Sequence, residues 1–290
     1  TLAQLHKEKD PLYGGYHGGP AYYMHHFFAK RKDGTYRKYS VLAVLFAISG
    51  LICWCGISQV ISNSVTSAFE NAFSIPPLAT TIILVVLAAI IVLRKNATVK
   101  VLDIMVPIMA CAYFIFTVII ILTHLGQMPD VFARIFQEAF GFRQIAAGGF
   151  GAVLMNGVKR GLFSNEAGMG SAPIAAAAAK TSSPVRQALI SSTATFWDTV
   201  VVCAITGLGL VRSIMKNPAI DMAMAGDGGL LTTLAFAQIP IVGPGILVVG
   251  IITFAFSTIL GWAYYGERCV EYLAGRRGLI FYRLLYILTA

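Results

Sequence analysis

Gly161-Leu162-Phe163-Ser164-Asn165-Glu166-Ala167-Gly168-Met169-Gly170-Ser171-Ala172-Pro173 is a polar island in an oily chain. Three glycines, a carboxylate, an amide and two hydroxyls sit between long apolar runs. Unwound, glycine-rich backbone is costly in hydrocarbon unless it is buried in protein or lines a water-filled cavity. The stretch therefore reads as part of a site between membrane helices rather than as a span.

The rest of the chain supplies the membrane helices that this reading needs. Of 290 residues, 57% are hydrophobic and only 12% are charged, with a mean hydropathy of +0.73. A soluble domain carries charge on roughly a quarter of its residues. Runs such as Thr80 to Leu93 do not alternate, as lipid-facing strands of a barrel would. The fold class expected is all-α, a polytopic membrane protein. Hydropathy marks six spans, at about Ser40–Ser62, Leu78–Leu93, Leu102–Thr123, Ile145–Lys159, Ala188–Val211 and Ile241–Gly266, with a seventh starting near Leu279. Asp130 to Phe140 places Val131, Phe132, Ile135, Phe136 and Phe140 at helical spacing and reads as an amphipathic interfacial helix.

Lys and Arg placement orients the spans. With the segment before Ser40 in the cytoplasm, the inside holds Lys7, Lys9, Lys30, Arg31, Lys32, Arg37, Lys38, Arg94, Lys95, Lys100, Lys180, Arg186, Arg268, Arg276 and Arg277. The outside holds only Arg134, Arg143, Arg212 and Lys216. This positive-inside bias accounts for most of the +9 net charge, so nucleic acid is not needed to explain it. Five scattered cysteines show no metal or disulfide spacing and read as small packing residues. His6, His17, His25 and His26 lie in the leading connector, residues 1–39, without a metal pattern. Gly18-Gly19-Pro20 is turn chemistry that should open a short helix from Ala21.

Four separate pieces of the chain carry a resemblance. They are Gly18-Gly19-Pro20-Ala21-Tyr22-Tyr23, Gly161 to Pro173, Pro184-Val185-Arg186-Gln187, and Phe254 to Glu267. In order and spacing they resemble the sodium:alanine (alanine or glycine:cation) symporter family across nearly the whole chain. Two departures bear on substrate identity: Ala176 stands where a histidine is common, and Gly56 to Val60 differs from the usual glycine-asparagine form. The resemblance implies a leucine-transporter-like fold with two inverted five-helix repeats. On that reading residues 1–290 are one partial transporter domain, with 40–123 ending the first repeat and 145–290 starting the second. The first broken helix and the C-terminal helices would lie outside the chain. The resemblance also implies a sodium-coupled importer of a small neutral amino acid, alanine or glycine, in a bacterial inner membrane. Sodium would be the coupling ion, with no further cofactor. A proton-coupled or sodium-independent exchanger is the rival within the class. A channel, a membrane enzyme or a receptor is a rival outside it. No paired carboxylates, nucleophile elbow or metal cluster stands in the sequence to favour an enzyme.

The residues divide by role. If Ser164 to Gly168 lay at mid-bilayer, Lys159 and Arg160 would enter hydrocarbon at about 2.5–3.5 kcal/mol each. If Gly148-Gly149-Phe150-Gly151 is the midplane break, the next ten residues rise about 15 Å and bring both cations to the interface. The second placement is favoured. Gly148, Gly149 and Phe150 then become substrate candidates, and Ser164, Asn165 and Glu166 become gate candidates at the cytoplasmic mouth. Glu166 could pair there with Lys159, Arg160 or Lys180, or simply be a satisfied carboxylate in a helical hairpin. Ser171 and Pro173 should cap and start a helix over Ile174 to Lys180. Ser257 and Thr258 either bond back to their own helix or, as the resemblance implies, give oxygens to sodium. Thr258 and Trp262 share a face, so Trp262 is a pocket-wall candidate. Cys55 and Gln59 share a face of the first span and line the cavity or pack. Asp198, the one mid-span carboxylate, completes a cation site or anchors a network.

Overall fold

The computed structural model describes residues 1–10, 14–93, 97–140, 149–166, 168–216 and 242–289. Helices dominate. The connector holds α1 (Leu2–Leu5), a hairpin of β1 (Glu8–Asp10) and β2 (Gly15–His17), and α2 (Pro20–Phe28). α3 (Val41–Phe73), α4 (Pro77–Val92) and α5 (Ala97–Thr123) follow. Next come α6 (Met128–Phe140), α7 (Gly149–Ser164), α8 (Ser171–Ala178), α9 (Pro184–Lys216), α10 (Val242–Ala274) and α11 (Arg276–Thr289). The hairpin is an addition to the all-α expectation: Glu8 pairs with His17 and Asp10 with Gly15, antiparallel.

Four helices among the described residues are long and apolar enough to cross a membrane: Val41–Ser67, Asp103–Thr123, Pro184–Lys216 and Val249–Ala274. Pro77–Ile90 is a shorter apolar helix. These agree with five of the six expected spans. The spans expected at Ile145–Lys159 and from Leu279 are represented by the 16-residue α7 and the 14-residue α11. α3 runs eleven residues past its expected end at Ser62, because no glycine or proline interrupts it there. It stops where Ser74 turns left-handed (φ 55°) and Pro76-Pro77 follows, with Pro77 opening α4. The α9 start is equally local: Ser183 accepts the Arg186 N–H at 3.1 Å and Pro184 takes the first turn.

α10 is the central element, packed against α3, α11, α5 and α4. Trp54 on α3, Ile259, Leu260, Trp262 and Ala263 on α10, and Leu279 and Tyr286 on α11 form the buried core. One buried polar tie runs through it. Tyr286 Oη donates to the Ile259 carbonyl at 2.8 Å and meets Ser58, whose hydroxyl bonds back to the Trp54 carbonyl at 3.0 Å. A satisfied hydroxyl chain of this kind fixes the register of three helices, since any slip would strand buried donors. Phe132, Phe136 and Phe140 leave apolar side chains of α6 exposed, while Val131 turns inward. Of the five cysteines only Cys269 is fully buried. Cys55 is half-buried, and Cys53, Cys111 and Cys203 are exposed on helix surfaces, so the packing reading holds only in part.

The connector and the loop cations gather at one end of the bundle. Gln4 donates its amide to the Ala176 and Ala179 carbonyls at the end of α8. Tyr39 Oη donates to the Leu273 carbonyl at 3.1 Å, and the Ser40 N–H donates to Tyr272 Oη at 3.1 Å. The start of α3, the end of α8 and the end of α10 thus share a side, which is what the charge count requires of Lys38, Lys180 and Arg276.

Candidate functional site

The signature is a tight hinge between two helices. α7 continues unbroken from Gly149 to Ser164. The chain then turns through Glu166 (φ 51°), Gly168 (φ 80°) and Gly170 (φ 74°) before α8. A left-handed residue with a side chain costs roughly 1–2 kcal/mol, and the Glu166 carbonyl helps to hold the turn by accepting the Met169 N–H at 3.2 Å. Gly170 has no such choice. A Cβ there would stand 2.5 Å from the Phe46 ring on α3 and 3.2 Å from Pro20. A Cβ on Gly19 would stand 2.6 Å from Ile174. The glycines of both motifs therefore exist so that connector, α3 and signature can close on one another.

Gly170, rather than Ser171, occupies the cap position of α8, which ends at Ala178 rather than Lys180. Ser171 is fully buried and its hydroxyl is already committed: it donates to the Glu166 carboxylate. No Lys or Arg pairs with Glu166 among the described residues, so in this conformation its partner is Ser171 and not Lys159, Arg160 or Lys180. Burial pushes the Glu166 carboxyl above the usual carboxylate range, and the Ser171 hydrogen bond opposes that rise without cancelling it.

Two other signature side chains reach a different helix. Ser164 Oγ donates to Asp198 Oδ2 at 2.7 Å. Asn165 Nδ2 donates to Thr199 Oγ1 at 2.7 Å and to the Gly161 carbonyl at 3.0 Å. Asp198 and Thr199 lie where α9 widens into a π-helical stretch, Phe196–Cys203, an irregularity that recurs at functional sites. Neither partner is buried in the bundle. A carboxylate open to lipid in mid-span is expensive, so this face must meet protein or water. The structure joins residues that the sequence assigned separately, Ser164 and Asn165 to a gate and Asp198 to an ion.

The remaining candidates are scattered. Ser257 and Thr258 both donate to the Phe254 carbonyl, at 2.8 and 2.7 Å, the back-bonded arrangement. Each oxygen keeps lone pairs for a cation. Trp262 is buried, its ring 6.2 Å from Trp54 and 5.5 Å from Tyr265. Cys55 packs half-buried against that core, whereas Gln59 is exposed. Among the described residues no hydrogen bond links Ser257 or Thr258 to Asp198. Gly148 lies outside the described residues; Gly149 and Phe150 are placed only as the first backbone turn of α7.

A buried ionic network escaped the sequence reading. Arg268 Nη1 lies 3.0 Å from Asp10 Oδ2 and 2.8 Å from Glu271 Oε2, with its guanidinium 4.9 Å from the Tyr264 ring centre. Arg283 Nε meets Glu267 Oε1 at 2.6 Å. The network ties the connector to α10 and α11. Its one sequence signal was Glu267-Arg268, a charge pair in the tail of an apolar run; Asp10, 258 residues away, gave none.

The comparisons extend the site's setting to the whole chain. A sequence model of the sodium:alanine symporter family matches residues 1–290. The chain is similar to the sodium/alanine symporter AgcS of Methanococcus maripaludis, 41% identical over 279 residues, which cover 94% of this chain and 59% of that protein. An uncharacterized transporter of Haemophilus influenzae is 42% identical over 285 residues, covering 93% and 58%. The probable sodium/glutamine symporter GlnT of Bacillus subtilis is 39% identical over 289 residues, covering 98% and 57%. The chain therefore spans less than three-fifths of the length of these relatives.

Proposed function

The chain belongs to the sodium:alanine symporter family, and from that premise we propose that it forms part of a sodium-coupled symporter importing a small neutral amino acid, alanine or glycine, by alternating access. The observation that carries this reading is the clasp of Ser164 and Asn165 onto Asp198 and Thr199. It sets a carboxylate, an amide and two hydroxyls on a face that lipid cannot cover, between a helix end and a π-helical stretch. Hard cations take carboxylate, hydroxyl and carbonyl oxygens, and irregular backbone at membrane depth is where transporters place such ligands.

In the proposed arrangement the fold is leucine-transporter-like, with 40–123 closing one repeat and 145–290 opening its inverted partner. Asp198, Ser257 and Thr258 supply oxygens to sodium. Gly148, Gly149 and Phe150 make the substrate cradle with Thr258, Trp262, Cys55 and Gln59. Ser164, Asn165 and Glu166 act as the gate that yields on inward opening. Coupling follows because sodium and substrate stabilise the same arrangement, so each raises affinity for the other.

The test is uptake of labelled alanine by the full-length protein, with sodium replaced by choline, and competition by unlabelled glycine, alanine and glutamine. Saturable uptake that needs sodium and is competed by alanine and glycine is the expected result. Sodium-independent uptake removes the coupling, and competition by glutamine alone moves the substrate class towards that named for GlnT.

A further inference from the structure

We propose that the polar cavity at the connector end of the bundle binds a phosphate group, carried by an anionic lipid headgroup or as free phosphate. The cavity, about 430 Å³, is formed where β1 and α2 of the connector meet the approach to α3 and the junction of α10 with α11. Lys9, Lys38 and Arg276 line it. Among the described residues none of the three forms an ion pair.

Of the two carboxylates in the wall, one is held by a guanidinium. Glu271 is held by Arg268 at 2.8 Å. Glu8 stands 3.9 Å from His17 Nε2 and 3.8 Å from His26 Nε2. Three cations outside any ion pair, Lys38 also standing 5.3 Å from the Tyr39 ring centre, thus face one carboxylate that no guanidinium holds, and the cavity favours an anion. A second observation is independent of the charges. His17 lines the same cavity, is only 5% exposed, and its Nδ1 has no hydrogen-bond partner among the described residues. A buried polar atom left unpaired costs about 1–3 kcal/mol, and an oxyanion would satisfy it in the ring form that carries a proton on Nδ1.

Depth favours phosphate among anions. Lys38 precedes the span beginning at Val41 by three residues, and Arg276 follows the span ending at Ala274 by two. Both cations therefore sit at the level of the headgroups, where basic pockets between helices take lipid phosphates. Tetrahedral oxyanions also match the fork of Arg276 and the point charges of the lysines.

The experiment uses the full-length protein in neutral detergent. Dioctanoyl phosphatidylglycerol, dioctanoyl phosphatidylcholine and potassium phosphate are titrated separately, with bound lipid counted by native mass spectrometry and phosphate read as a potassium-chloride-controlled melting shift. The expected result is saturable phosphatidylglycerol binding, about thirtyfold weaker in K38Q/R276Q, since each removed cation is worth roughly fivefold near a membrane surface. R31Q/K32Q, two cations of the same segment outside the cavity, should leave it unchanged. A phosphate-induced melting shift lost in K38Q/R276Q assigns the site to free phosphate; its absence alongside lipid binding assigns it to the headgroup. Equal binding of phosphatidylcholine, or no difference between the two variants for either probe, overturns the proposal. None of these readouts depends on transport.

Discussion

Replacing Arg268 by Gln should detach the connector from the bundle. The guanidinium is 1% exposed, and the Asp10 and Glu267 side chains beside it are 2% and 4% exposed. Removing one member of a buried ionic group leaves opposite charge without its main counterweight, at about 3–5 kcal/mol. Asp10→Asn is the milder change. Arg268 keeps Glu271 at 2.8 Å, and the loss is one charge-assisted hydrogen bond, roughly 1.5–3 kcal/mol. Because both changes act on one network, the double variant should cost less than their sum. The assay is the apparent melting temperature of the full-length protein in detergent. At roughly 2–4 °C per kcal/mol for a chain of this order, Arg268→Gln should fall by about 6–20 °C and Asp10→Asn by about half as much. Limited trypsin digestion gives a second readout: cuts at Lys7, Lys9 and Lys30 should accelerate in both variants. An Arg268→Gln protein that melts within about 1 °C of the wild type, with unchanged cleavage, would refute the claim that this network fastens the connector.

Four further outcomes are expected. Gly170→Ala should destabilise by roughly 2–4 kcal/mol from left-handed strain and collision with Phe46, and Phe46→Leu should restore only the collision part in a melting series. Thr258→Ala should raise the sodium concentration for half-maximal uptake about tenfold; an unchanged value removes Thr258 from the ion site. Asp198→Asn should raise the same sodium requirement by at least tenfold. Adding Ser164→Ala to it should then change little if the two act as one unit, whereas additive effects would separate gate from ion site. For Glu166→Gln the sign follows from burial: a carboxyl raised in the folded state favours folding when protonated, and that contribution fades as pH climbs through the raised value. Wild type should gain stability relative to the variant as pH falls through the raised value towards the ordinary carboxylate range in paired melting curves, and a difference that stays flat across it would contradict the buried placement of Glu166.

Much was legible in the linear pattern because membrane spans are local objects. A helix in lipid satisfies its own backbone, so length, apolarity and Lys/Arg bias sufficed to find α3, α4, α5, α9 and α10 and to place Lys38, Lys180 and Arg276 on one side. The helix α6 followed from spacing, and α2 from Gly19-Pro20. Helix ends were read less well. α3 overran because Asn63, Ser64 and Thr66 lower hydropathy without breaking a helix; Ser64 and Thr66 bond back to the carbonyls of Val60 and Asn63. The α8 cap moved from Ser171 to Gly170 because the hydroxyl was claimed by Glu166.

The family, the membrane class and the shared end of Lys38, Lys180 and Arg276 were thus legible in the sequence, since each depends on residue type and order along the chain. Contact across large separations was not. That Ser164 meets Asp198, that Gly170 must be glycine because Phe46 lies against it, and that Asp10 neutralises Arg268 were decided only by the tertiary structure. Hydrogen bonds and ion pairs act over a few ångströms, and which distant side chains come that close is set by how the helices pack.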